Sequence, residues 1–165
     1  MQKITIINTG GTFNKRYNPS SGELIVDKTS SALKDITQKW LHSFDEIINT
    51  VGKDSLDMLE SDRAKIVETI KKAKNHKIII IHGTDTMDIT AHYLHDANID
   101  KEIILTGAMI PYSIDPVEAT ANLASAFGYI KAIEKSGIYI SMNGVIGEYK
   151  SIVKNRELGR FEYIE

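Results

Sequence analysis

Ile78-Ile79-Ile80-Ile81, followed at once by His82-Gly83-Thr84-Asp85, is the stretch that decides the fold. An unbroken β-branched run without alternation is what a parallel strand buried on both faces requires. The glycine turn behind it marks where that strand stops. Working outward, Ile4 to Ile7 is a second apolar run, ending at Asn8-Thr9-Gly10-Gly11-Thr12. Phe44 to Thr50 is a further candidate strand, Glu102 to Thr106 runs into Gly107-Ala108-Met109, and Ile138-Tyr139-Ile140-Ser141-Met142 adds another. Helical segments lie between them. Asp62 to Lys74 carries Ala64, Ile66, Val67, Ile70 and Ala73 at the spacing of a helix stripe. A helix is expected from about Met87 to Asp96, and Pro116 suits the first turn of another, continuing from Val117 to Lys135 before Gly137. Phe13 to Gly22 has little apolar periodicity and reads as a mobile loop, while the tail from Asn143 to Glu165 has no readable local structure.

Strands alternating with helices predict an α/β three-layer sandwich around a mostly parallel, flavodoxin- or Rossmann-like sheet with right-handed crossovers. At 165 residues and 18.4 kDa, with no internal repeat or composition break, residues 1–165 are expected to form a single domain. In such sheets ligands bind beyond the carboxyl ends of the strands. Thr9 to Thr12, Gly83 to Asp85 and Gly107 to Met109 all follow strands, so they should meet on one rim.

Composition narrows the ligand. Twenty Lys and Arg against 22 Asp and Glu give a formal charge of -2, which offers no broad basic surface for a nucleic acid. Cysteine is absent from the sequence, which removes disulfides, thiolate zinc sites and cysteine nucleophiles. No apolar run is long enough to span a bilayer, and the N-terminus reads as a strand rather than a leader. The expectation is a soluble, cytoplasmic protein with a small neutral or zwitterionic ligand, and neither a nucleic acid nor a membrane as partner.

Gly10-Gly11-Thr12 lacks the ending of a phosphate-cradling P-loop, and no GxGxxG occurs at the first turn. His92 and His95 share a helix without a companion ligand pattern, so surface or partly packed histidines are expected there and no metal. What remains is a set of hydroxyl, phenol, carboxylate and amine groups: Thr12, Tyr17, Thr84, Asp85 and Lys154. A threonine hydroxyl becomes a nucleophile only when a neighbour takes or polarises its proton, which a desolvated lysine or a nearby phenol can do. The plainer reading is that Asp85 or Thr86 merely caps the next helix.

Thr9-Gly10-Gly11-Thr12 and His82-Gly83-Thr84-Asp85-Thr86-Met87 resemble the two signatures of the bacterial-type L-asparaginase/glutaminase family, the threonine amidohydrolases. Asp54-Ser55-Leu56-Asp57-Met58 resembles that family's substrate-holding loop, and Gly107-Ala108-Met109 with Pro111 its third strand-end turn. Met142-Asn143, Lys154 and Phe161 match the segment that carries the family's catalytic lysine. The resemblance covers nearly the whole chain but only the family's N-terminal domain, as in its short form. It implies Thr12 as nucleophile, Tyr17 as the activating phenol, and Thr84, Asp85 and Lys154 as a second triad with the lysine as base. Asp85 would also bind the amino-acid end of the substrate and Ser55 its carboxylate, with backbone at Gly11, Gly83, Thr84 and Ala108 lining the pocket. The implied activity is hydrolysis of L-asparagine without a cofactor, by a homo-oligomer. A glutaminase, an amidotransferase subunit and a non-catalytic amino-acid-binding module are the alternatives. Leu56 and Ile110 stand where the family commonly has glutamine and arginine. Leu56 cannot make the polar contact to the substrate backbone that a glutamine makes, which implies weak substrate affinity.

Overall fold

In the computed structural model, which describes residues 3–42, 44 and 46–164, the isoleucine run lies inside a six-stranded sheet. The sheet comprises β1 (Ile4–Gly10), β4 (Glu46–Lys53), β5 (Lys77–Ile81), β6 (Glu102–Thr106), β7 (Gly137–Met142) and β8 (Val145–Glu148), in the order β4-β1-β5-β6-β7-β8. The first five of these are mutually parallel, and only β8 runs antiparallel to its neighbour. This is the flavodoxin-like order with an antiparallel edge strand added.

Strand periodicity sends alternate isoleucines of β5 to opposite faces. Ile79 and Ile81 pack with Ile4, Ile6 and Ile104 against Leu33 and Ile36 of α1 (Ser31–Lys39) and Leu123, Phe127 and Ile130 of α4 (Pro116–Ala132). Ile78 and Ile80 pack with Ile7, Ile103 and Leu105 against Ile66 and Ile70 of α2 (Glu60–Lys72) and Met87, Ala91 and Leu94 of α3 (Met87–Asp96). Burial on both faces is why the run needs no polar alternation.

Two lysines close the lower ends of helices. Lys77, only 5% exposed, donates from Nζ to the carbonyls of Ile130 and Ile133 at 2.6 and 2.5 Å. Lys101 Nζ does the same for Ala73 and Asn75 at 2.5 and 2.9 Å. A cation at a helix C-terminus satisfies orphan carbonyls and opposes the macrodipole. Ile133 turns to extended geometry at ψ 141°, so α4 stops at Ala132, short of the Lys135 expected from the sequence.

Three regions depart from the sequence reading. The stretch after Thr12 is no irregular loop: β2 (Lys15–Asn18) pairs with β3 (Glu23–Val26) in a hairpin whose turn uses Gly22 at φ 73°. Helix α1 carries its buried face on Ala32, Leu33, Ile36 and Thr37, a stripe too short to stand out among polar neighbours. The tail folds as β8 and then as an antiparallel pair, β9 (Ile152–Asn155) and β10 (Arg160–Tyr163). Positions 1, 2, 43, 45 and 165 lie outside the described residues, position 45 being part of the strand expected over 44–50.

Candidate active site

Sheet order reverses between β1 and β5, the topological position at which open α/β sheets take their ligands beyond the strands' carboxyl ends. The backbone there is close-packed. Gly11, with φ 75° and ψ -179°, occupies a region open essentially to glycine, and a Cβ on it would sit 2.5 Å from the Gly83 nitrogen. A Cβ on Gly83 would in turn sit 2.6 Å from Ser55 Oγ. Three sequence-distant segments therefore touch through two glycines. Thr12 opens a 3-10 turn just beyond Gly11 and is partly exposed, while Ser55 opens another at the end of β4 and is 1% exposed.

The second cluster is held by the tail. Lys154, on β9, donates from Nζ to Thr84 Oγ1 at 2.9 Å and to Asp85 Oδ1 at 2.8 Å. Thr84 is 7% exposed, and the Lys154 side chain 17%. The Lys154 hydrogen bond holds the Asp85 carboxyl below the usual carboxylate range, against the opposing effect of burial. Arg156 adds a fork on the same residue, with one nitrogen 2.8 Å from Asp85 Oδ1 and the other 2.8 Å from its carbonyl oxygen.

Beneath these groups lies a buried network absent from the sequence reading. His82 is fully buried, with Nδ1 2.7 Å from the Gly83 carbonyl and Nε2 2.8 Å from Thr90 Oγ1. A carbonyl only accepts, so Nδ1 carries the proton and Nε2 accepts from the Thr90 hydroxyl. Thr90 accepts in turn from Arg63 Nε at 3.0 Å, and Arg63 also donates to Thr86 Oγ1 at 3.1 Å and the Met58 carbonyl at 3.2 Å. Burial first, and the Arg63 charge after it, lower the His82 pKa to about 4, so the ring is neutral. Thr86 passes the chain of contacts on, donating to the Ser55 carbonyl at 2.9 Å. The network thus braces Gly83 and Ser55 from below. Its one sequence signal is an arginine on the helix face that Ile66 and Ile70 bury.

Residues 3–160 match the family model for the asparaginase N-terminal domain. The chain belongs to the asparaginase family. It is 28% identical to L-asparaginase 2 of Escherichia coli, covering 93% of this chain and 47% of that protein. It is 28% identical to the glutaminase-asparaginase of Acinetobacter glutaminasificans, over 92% of this chain and 49% of that one. The thermostable L-asparaginase from Thermococcus kodakarensis superposes with a TM-score of 0.85 at 24% identity, covering 99% of this chain and 51% of that structure, which speaks for the fold. The chain spans about half the length of these relatives.

Against the asparaginase pattern, the structure brings Thr84, Asp85 and Lys154 together, and Gly11 beside Gly83 and Ser55. Ala108 is fully buried in a turn that Glu118 braces by accepting from the nitrogens of Met109 and Ile110 at 3.0 and 2.9 Å. Tyr17 is not brought in: it pairs with Leu24 in the hairpin, is 64% exposed, and makes no hydrogen bond to Thr12. Leu56 projects into solvent, and Ile110 is exposed. Thr86 sits at the N-cap of α3, but its hydroxyl makes no capping bond, so the plain capping role does not describe it. His92 and His95 are exposed, with Tyr149 Oη 3.3 Å from His92 Nδ1. Among the described residues no helix is long and apolar enough to cross a membrane.

Proposed function

We propose that this chain hydrolyses the side-chain amide of L-asparagine, releasing L-aspartate and ammonia through an acyl-threonine ester. The observation that carries the reading is Lys154 reaching Thr84 and Asp85 from 70 and 69 residues away, beside Gly83, against which Gly11, the residue before Thr12, is packed. In this mechanism the Thr12 hydroxyl attacks the amide carbon as its proton is removed. The amide nitrogen takes up a proton and leaves as ammonia, and the ester remains on Thr12. Lys154, with Thr84 between it and the substrate, moves the proton, and Asp85 keeps the ammonium in place. Water then adds to the ester, the bond to Thr12 breaks, and the hydroxyl recovers its proton. The Gly11 nitrogen is already given to the Lys53 carbonyl at 2.9 Å, so the oxyanion of both tetrahedral intermediates falls to other backbone nitrogens of the rim.

Family membership and the Thr84-Asp85-Lys154 contacts support this reading over a non-catalytic binding module. Ammonia release from asparagine and glutamine, assayed side by side, tests it and separates an asparaginase from a glutaminase. Thr12→Ala should lower turnover about 100-fold or more while the fold is kept. One observation favours a second assignment of the nucleophile: Thr84, not Thr12, carries the hydrogen bond to Lys154. Trapping the ester with hydroxylamine and sequencing the acylated peptide decides between the two threonines.

A further inference from the structure

Arg156 sits in the turn between β9 and β10, a turn fixed by Asn155 Oδ1 accepting from the Leu158 nitrogen at 3.0 Å and Asn155 Nδ2 donating to Glu162 Oε1 at 2.8 Å. From there its guanidinium grips Asp85 twice, at the carboxylate and at the carbonyl, both at 2.8 Å. Asp85 Oδ1 therefore already receives two cations, Lys154 and Arg156. The cluster of one carboxylate with two cations is net positive. Asp54, the neighbouring acid, does not offset it, because Lys15 is 2.5 Å from its Oδ2. A substrate ammonium docking on Asp85 would be the third cation on one carboxylate. A substrate carboxylate meets the opposite situation. The guanidinium has five N–H donors, and the two used on Asp85 leave others free to bind an anion.

We infer that Arg156 sets the substrate class of this site: it favours ω-amides of dicarboxylic acids that bear a carboxylate but no α-ammonium, such as succinamate, over asparagine. The inference rests on the amidohydrolase reading above and narrows its substrate. The chemistry of the reacting amide is unchanged. Only the non-reacting end of the molecule differs, and there the site presents excess positive charge. Because the Arg156 side chain is 64% exposed, its effect is partly screened, and the selectivity it confers should be moderate and salt-dependent.

The test compares kcat/KM for succinamate and asparagine in the full chain and in Arg156→Gln, and calorimetric affinities for the products succinate and aspartate in both. The exposed position of Arg156 means that the variant should fold, which a thermal melt verifies. Expected is a preference for succinamate of roughly tenfold, falling roughly threefold to tenfold in Arg156→Gln and shrinking with added salt. Arg156→Lys, which keeps the charge but loses the fork, should retain part of it. Equal or better use of asparagine, or a ratio unmoved by Arg156→Gln, would overturn the inference while leaving the amidohydrolase reading standing. Tighter succinate binding that depends on Arg156 without ammonia from either amide would support the charge preference and overturn the hydrolase. If neither amide releases ammonia and neither product binds, both fall together.

Discussion

Two regions flank Thr12, and they are built by opposite rules. On the β5 side, Thr84, Asp85 and Lys154 are partly or fully buried, each held by hydrogen bonds to groups far away in sequence, with His82, Thr90 and Arg63 beneath. On the other side, the β2–β3 hairpin carries Tyr17 at 64% exposure and Leu24 and Ile25 at 45% each, and packs little of its own surface. It is tied down mainly at its base, where Ser113 Oγ donates to the Lys15 carbonyl at 2.8 Å and Lys15 pairs with Asp54. The contrast separates candidate catalytic groups already held in place from a strand pair that few contacts hold. The rim is preorganised, whereas the hairpin is anchored at one end, the arrangement a closing segment requires.

The sharpest way to break this comparison is Lys154→Met. If the preorganised rim does the acid-base work, turnover should fall by about a thousandfold with the melting temperature little changed. Steady-state ammonia release beside a thermal melt checks both. Gly11→Ala is next. It places a Cβ against the Gly83 backbone in a conformation open essentially to glycine, and should cost about 3 kcal/mol or more of stability, read from urea unfolding.

The third concerns pH. The folded His82 pKa is near 4 against an unfolded 6.5, so between these values the unfolded chain binds the extra proton and the folded one does not. Stability contributed by the neutral ring is therefore complete above about pH 6.5, falls as the pH drops, and levels off near 4. The total loss is about 3 kcal/mol. Urea midpoints across that range, compared with His82→Gln, measure it; a profile identical in the variant would remove the buried histidine from the account. The smallest effect is expected on the hairpin side. Tyr17→Phe should change kcat by less than about threefold if the observed exposure persists with substrate bound. A loss near 100-fold would instead show that the hairpin closes and delivers the phenol. Hydrogen exchange over residues 15–26, with and without aspartate, reports the same motion directly.

What could be read from the sequence followed from burial. The isoleucine strand, the helix at 87–96 and Pro116 opening α4 all carry local signals that the core or the helix start enforces, and each lies where it was expected. Thr84, Asp85 and Lys154 were legible as a group only through the resemblance, since no local pattern links residues 70 positions apart. The hairpin escaped because neither of its faces meets the core, so its strands show no alternation to read. Arg63 and His82 escaped for a different reason: Arg63 shares the buried helix face of Ile66 and Ile70, but the Thr90 hydroxyl through which it meets His82 appears only with the fold. Arg156 belongs with them, an exposed residue whose meaning lies in the carboxylate it meets.

Lys77 and Lys101, whose ammonium groups sit on the terminal carbonyls of α4 and α2, make these helix ends open to chemical mapping. Their nitrogens are engaged as long as the helices stay docked, so amine-acylating reagents should label the exposed lysines, such as Lys34 and Lys71, long before them. Acylation of either one removes the charge and the donors that hold a helix end. Its appearance in a time course would report the local opening of that end, separately for each face of the sheet.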